Sequence, residues 1–417
     1  MRVSDRTDVR PAWGAIDSTV APAAAIPAGP LEMDAAIRLA LVRSPRVRAS
    51  LAEVGISQAE LWQAATLPNP VLDLLYGAPR TGISVSNVGV GFAFVRAIQM
   101  PLRRRLASAE LASTEAHVAD VVLGVMTDVQ RAYLDVQYAQ QVLELRTTFA
   151  AATAASAGAA KALREAGNVP AVVLLSEQAM AEQSVADVAG AEGALVGSRA
   201  ELGRLMAAGV GDTTWTIPER LRGPGTDKWP VGALDSLAVA LRLDVAAARE
   251  SARAAAIALG LDERFRLLRD GTIGVFLERE PDGRFAGPSG GIPLPVFDRG
   301  GAALARARAQ LAQRIAWHDA LVVDVHAQVR THLGQVRSAA QRAHHLRTVV
   351  LPLRQRVLDE VQRHVNAMDA SIFALLQAKQ AELDAGRRYL DALRDYWLAR
   401  SGLERAVGSA LPPAGTH

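Results

Sequence analysis

Val88-Gly89-Val90-Gly91-Phe92-Ala93-Phe94-Val95 decides how this chain is read. Val88, Val90, Phe92 and Phe94 alternate with Gly89, Gly91 and Ala93, the period-2 pattern of a strand with one apolar face. The surrounding run Thr81–Val95 carries no charge. Upstream, Val71–Tyr76 predicts a shorter partner strand, with Leu72, Leu74 and Tyr76 on one face and Asp73 opposite; the turn-rich Gly77-Ala78-Pro79-Arg80-Thr81-Gly82 joins the two. Downstream, apolar residues step by four and three through Val118, Val122, Val125, Val129, Ala132, Val136, Ala139 and Leu143. Spacing sustained near 3.5 residues predicts coiled-coil packing. The helical run from Leu102 to Ala166 would reach about 100 Å at 1.5 Å per residue, longer than a single small domain requires.

The same plan occurs twice. Leu174-Leu175-Ser176-Glu177-Gln178 aligns with Leu375-Leu376-Gln377-Ala378-Lys379, and the breaker Ala166-Gly167-Asn168-Val169-Pro170 with Ala367-Met368-Asp369-Ala370-Ser371, both at an offset of 201. Met100-Pro101-Leu102 matches Ile292-Pro293-Leu294 at an offset of 192, which reads as about nine residues inserted in the second copy's helix. That copy repeats the seam with Leu311, Ile315, Val322, Val325, Val329, Val336, Ala343, Leu346, Val350, Leu353 and Val357. Its strands are read in Ile273, Val275 and Leu277, and in Ile292, Leu294 and Val296 alternating with Gly291, Pro293 and Pro295; Glu280–Arg284 is the turn. The expected organisation is a disordered linker over 1–30 and a first copy over 31–208, with hairpin 71–98 and a helix pair turning near 167–170. A connector over 209–230 leads to a second copy over 231–408, with hairpin 271–297 and a turn near 368–371, then a tail over 409–417. Asn168 and Ser371 are read as helix caps, with Pro170 suited to a first helical turn.

Composition narrows the function classes. Of the 417 residues half are hydrophobic and 21% charged, too apolar for a disordered chain, yet only 5% are aromatic. The 46 basic residues include only Lys161, Lys228 and Lys379 as lysine, and 43 acids are interspersed with them, so the net charge is +3. This suits solvated helix faces and predicts no nucleic-acid partner. With no cysteine, disulfides, thiolate metal sites and thiol catalysis are excluded. No run of 18 apolar residues predicts a transmembrane helix, a test that does not bear on a β-barrel. Arg2, Arg6 and Arg10 suit a signal-peptide start, but no leucine-rich segment follows, leaving either a cytoplasmic chain or an export signal upstream or removed. His318, His326, His332, His344, His345 and His364 cluster in the second copy without a three-ligand spacing and read as polar seam residues. Gly287-Pro288-Ser289-Gly290-Gly291 lacks the Lys-Ser/Thr of a phosphate loop. No catalytic constellation, cofactor site or metal site is predicted.

Leu67-Pro68-Asn69-Pro70 before a strand, Ile292-Pro293-Leu294-Pro295-Val296-Phe297-Asp298-Arg299-Gly300-Gly301 before a long helix, and the duplicated Leu-Leu pair after each turn resemble the TolC-like outer-membrane efflux factors over Leu31 to about Gly408. The resemblance implies a mainly helical protein in which each protomer of a homotrimer gives four strands to a shared twelve-stranded membrane β-barrel and its long helices to a periplasmic α-barrel. It also implies an outer-membrane location in a Gram-negative bacterium, a periplasmic adaptor, an inner-membrane pump, and export of drugs or metal ions without chemistry. The lipid-facing residues would then be Val88, Val90, Phe92, Phe94, Ile273, Val275, Leu277, Ile292, Leu294 and Val296. The two turns would form the gate and adaptor contact, with Arg164, Glu165, Gly167, Asn168, Glu177, Asp369, Ser371, Ala374 and Gln377 as candidates. Relatives often carry carboxylates where Ala374 and Gln377 stand, so an acidic ring is not expected here. The alternatives are a soluble coiled-coil scaffold whose hairpins cap a helical bundle and, more remotely, a helical enzyme.

Overall fold

The computed structural model describes residues 26, 29–76, 86–209, 214–218, 220–225, 229–280, 283–367 and 369–411. Two-residue strands β1 (Gly29–Pro30) and β4 (Trp215–Thr216) pair in parallel. Two short helices, α1 (Met33–Arg43) and α2 (Pro45–Ala64), precede strands β2 (Val71–Tyr76) and β3 (Ser86–Phe92) and the long helices α3 (Phe94–Glu165) and α4 (Ala171–Leu205). The order then recurs: α5 (Val231–Leu241), α6 (Leu243–Arg264), β5 (Thr272–Glu280), β6 (Gly283–Gly291), α7 (Gly301–His345), a π turn (Leu346–Val350), α8 (Leu351–Asn366) and α9 (Ile372–Val407). The break between α1 and α2 follows from Ser44-Pro45: the Val47 N–H donates to Ser44 Oγ at 3.4 Å, and Pro45 sits where its missing N–H costs nothing.

Two units are distinguished: Met1–Val47, Val121–Arg242 and Val325–His417; and Arg48–Asp120 and Leu243–Asp324. In the first, the seam is buried: Val122, Val125, Val129, Ala132, Val136 and Ala139 on α3, and Val325, Val329, Val336 and Ala343 on α7. Leu134, Leu221, Ala343, Ala392 and Leu393 form a core cluster there with Tyr138 and Trp397 against it. The periodicity overreaches at Leu353 and Val357, which are exposed, and α8 has no buried residue. The π turn precedes Pro352; a proline there has no N–H for the carbonyl four residues back, and a wider turn accommodates that defect. Residues read as linker and connector carry part of this unit: Gly29–Pro30 pair with Trp215–Thr216, and Trp215, Ile217 and Leu221 are buried. Next to them, Leu31 is buried and its carbonyl accepts from the Tyr133 hydroxyl at 2.9 Å. Arg400 and Glu404 likewise engage the Leu411 backbone in the expected tail.

In the second unit, Val54, Val95, Ala107, Ala109 and Val118 are buried with Val245 and Ala254. Ser57 and Thr114 share a 3.0 Å hydrogen bond, and Ser113 donates to the Ala247 carbonyl. The two hairpins join into one antiparallel sheet of order β2-β3-β5-β6. At the centre, Gly274 stands opposite Gly91 and Ser289. A Cβ there would lie 2.3 Å from the Val90 carbonyl oxygen, so no larger residue fits without displacing the ladder.

The insertion of about nine residues is not found. Counting back from the turns at an offset of 201, α3 maps onto 295–366, and α7 to α8 fill 301–366. Pro101 lies inside α3 while Pro293 precedes α7, so their shared motif marks no shared place.

Candidate functional site: an apolar sheet face and two helical turns

Register fixes the faces of the sheet. Leu74, Val88, Leu277 and Ala286 form one row; Leu72, Val90, Val275 and Pro288 the next; Phe92, Ile273 and Gly290 a third. Directly opposed residues in antiparallel strands point the same way, so these rows share a face. It is exposed along most of its length, with Val275 63% and Leu74 69% accessible and Phe92, at the helix end, half-buried. The other face holds Asp73, Asn87, Gly89, Gly91, Glu278 and Ser289, with Phe276 and Phe285 at 5.9 Å between ring centroids. β2 and β6 have no outer neighbour among the described residues.

Two strand expectations are corrected. Phe94 is not in β3, which ends at Phe92; it opens α3, packed with Val95 against Gly271, where an added Cβ would stand 2.8 Å from Val95 and 3.0 Å from Phe94. Ile292, Leu294 and Val296 follow β6 instead of forming it. The strand is the glycine-rich Gly283–Gly291, and Pro293 and Pro295 cannot donate to a ladder beyond it. All three stay exposed, and the Val296 N–H turns back to the Leu294 carbonyl. The hairpins thus run 71–92 and 272–291. The first expected turn, Gly77–Gly82, lies outside the described residues; of the second, Glu280–Arg284, the strands take Glu280, Gly283 and Arg284, and only 281–282 lie outside the described residues.

The first turn is built on Gly167. Its φ of 78° is left-handed; its N–H donates to Arg164 O and the Asn168 N–H to Leu163 O, closing α3 with a paired-bond motif that favours glycine. Asn168 is therefore not the cap of α4: Pro170 holds that place, without a side-chain bond. Arg164 donates to the Val169 carbonyl at 3.2 Å. Glu165 is exposed. Glu177 faces inward, 7% accessible, accepting a 2.8 Å hydrogen bond from Ser156 on α3, so it clasps α4 to α3 instead of lining an opening.

In the second turn Ser371 caps α9, its hydroxyl accepting from the Ala374 N–H at 3.3 Å. His364, grouped in the sequence with the polar seam histidines, lies instead between two carboxylates at the turn: Nδ1 is 2.9 Å from Asp369 Oδ2, and Nε2 3.6 Å from Glu360 Oε1. Ala374 is half-buried and Gln377 exposed. Met368 lies outside the described residues.

Further along the helices, Tyr138 donates to Asp391 and Arg394 pairs with Asp135 at 2.6 Å, tying α3 to α9. Burial, with the Asp391 bond, pushes the Tyr138 phenol up to about 12. Among the described residues no three metal-ligating side chains converge. An open groove of about 820 Å³ between α3, α7 and α9 is bordered by Arg131, His332, Arg342 and Asp395, the last two paired at 2.9 Å.

Neither a protein-family model nor a curated protein sequence matches the chain. Solved structures do. The outer-membrane protein VceC of Vibrio cholerae superposes with a TM-score of 0.76 at 16% identity, over 91% of this chain and 96% of that one. The CmeC outer-membrane channel of Campylobacter jejuni gives 0.77 at 13%, over 90% and 85%. The open-state MtrE outer-membrane channel of Neisseria gonorrhoeae gives 0.76 at 17%, over 92% and 90%. At such identities the likeness is one of fold, and the fold of this chain is that of these outer-membrane channels.

Proposed function

We propose that three copies of this chain assemble into a passive outer-membrane exit duct, serving an inner-membrane pump through a periplasmic adaptor. The observation that carries this reading is the four-stranded sheet with one long apolar face exposed and both edges open. Exposed strand edges invite pairing, and inside a bilayer every backbone group needs a partner, so closure is the only stable end state. Three sheets give twelve strands and leave no edge. The nine residues each of β5 and β6 match the roughly 9–11 that a tilted strand needs to cross a membrane. Asp73, Asn87, Glu278 and Ser289 would face the water-filled lumen.

Copies of the helical part would meet through apolar residues that one chain leaves uncovered: Val172, Leu175, Val185 and Val196 on α4, Leu353 and Val357 on α8. The two turns would form the periplasmic mouth and adaptor contact, with Arg164, Glu165, Gly167, Asn168, Asp369, Ser371, Ala374 and Gln377 at the surface and Glu177 behind them. Opening requires a packing with two arrangements that a partner can bias. The cargo, drugs or metal ions, is selected by the pump. The test is membrane fractionation with trimer analysis, followed by conductance in a planar bilayer. Recovery as an outer-membrane trimer that conducts ions supports the duct. A soluble monomer with its sheet folded against its own helices would mean a scaffold protein instead.

A further inference from the structure

Arg279 of β5 and Arg284 of β6 are direct partners in register, one rung beyond Leu277 and Ala286 on the same apolar face. Like charges directly opposed on one face destabilise a sheet. Both side chains are exposed, and neither makes a hydrogen bond, ion pair or ring contact among the described residues. Glu278, adjacent to Arg279 in β5, points to the other face by strand alternation. The rung also lies at one particular end. The chain enters the sheet from α2 at Val71 and from α6 at Thr272, and leaves for α3 after Phe92 and for α7 after Gly291, so all four helix connections share the opposite end. Below the arginines, the same face forms a shallow groove of about 550 Å³ bordered by Val88, Val90, Val275, Leu277, Ala286 and Pro288.

We propose that Arg279 and Arg284 grip the phosphate of an outer-leaflet lipid headgroup, of the phosphorylated lipid A kind, whose acyl chain lies along that groove. The inference rests on the membrane duct reading, since it takes the apolar face to be lipid-covered. A phosphate between the two guanidiniums relieves their repulsion and accepts charge-assisted hydrogen bonds from both. The groove, about 7 Å down the strand at 3.3 Å per residue, is what separates a lipid from a free anion. Three protomers would present six such arginines around the outward rim.

The test uses full-length wild-type protein and the R279Q/R284Q variant, reconstituted into phosphatidylcholine vesicles with and without lipid A. Insertion is read by flotation, conductance electrically, and retained lipid A by mass after extraction in mild detergent. Both proteins should insert and conduct equally, with the variant retaining lipid A about tenfold less, a loss near 1.4 kcal/mol. R279K/R284K, keeping charge but losing the planar fork, should fall between them. Equal retention by wild type and R279Q/R284Q, with insertion intact, overturns this inference and leaves the duct standing. Displacement of lipid A by inorganic phosphate at similar concentration would show a free-anion site and overturn the lipid assignment. Failure of the wild type to insert would remove the duct reading and this one with it.

Discussion

Leu403 and Val275 are both aliphatic residues in regular structure, and the molecule treats them oppositely. Leu403 on α9 is wholly buried, while Val275 on β5 is 63% exposed in a row of exposed neighbours. The helical region covers most of its apolar surface with its own side chains; the sheet leaves an entire face for something else to cover. Water is a poor solvent for such a face, and single scattered apolar residues need no explanation where a continuous patch does. Two substitutions probe the contrast. Leu403→Ala should cost about 2–5 kcal/mol in any medium, because it opens a cavity in a packed core; unfolding of the purified protein in detergent measures it. Val275→Arg should cost about 2–4 kcal/mol only where lipid covers the strand, read as loss of assembled protein from the outer membrane. Normal membrane levels of Val275→Arg would break the comparison, since the sheet would then have a polar environment.

How much of this was legible in the sequence differs between the same two regions. The α3 seam could be read residue by residue, because helical burial follows spacing: Val118, Val122, Val125, Val129 and Val136 are all buried. The β3 and β5 alternation was equally readable. β6 was not: Gly283–Gly291 contains four glycines and Pro288, a composition that resembles a loop, and its pairing with β5 imposes the strand. The apolar residues after it drew the eye to Ile292–Val296, where two prolines forbid a ladder. Phe94 continued a pattern that its contact with Gly271 cuts short. Among turn residues, the breaks were plain from Gly167 and Pro170. The inward aim of Glu177 was hidden, because it depends on Ser156 standing opposite on a helix 21 residues earlier.

The two turns sharpen the comparison within the helical region, since equivalent places are built with different local devices. The first relies on backbone freedom at Gly167, the second on the side chain of Ser371. Gly167→Ala should cost about 1–2 kcal/mol, the strain of a left-handed L-residue. Ser371→Ala should cost about 1 kcal/mol, the loss of one helix cap. Limited proteolysis at each turn would rank them: faster cleavage at the first turn for Gly167→Ala, a smaller increase at the second for Ser371→Ala. The reverse order would mean that tertiary packing, and not the local device, holds the turns.

The smallest effect concerns His332, a polar residue set where the α7 seam meets α9. Its ring stands where a Cβ on Gly402 would come within 2.7 Å, so the close approach depends on that glycine. Burial holds the His332 imidazole below its ordinary 6.5, with Arg131 adding repulsion and Gln335, 3.1 Å from Nδ1, partly opposing both. A histidine that protonates less readily when folded leaves stability intact above 6.5 and loses it as pH falls further, because the unfolded chain then takes up the proton first. Partial exposure of the ring keeps the effect modest. Thermal midpoints of wild type and His332→Phe, compared across that range, should diverge in slope: the wild type declines more steeply below pH 6.5, and the variant loses that component. Parallel curves would show that the seam tolerates the charge, as a wet packing layer would. The helical seam would then admit water, in contrast to the lipid-covered sheet face.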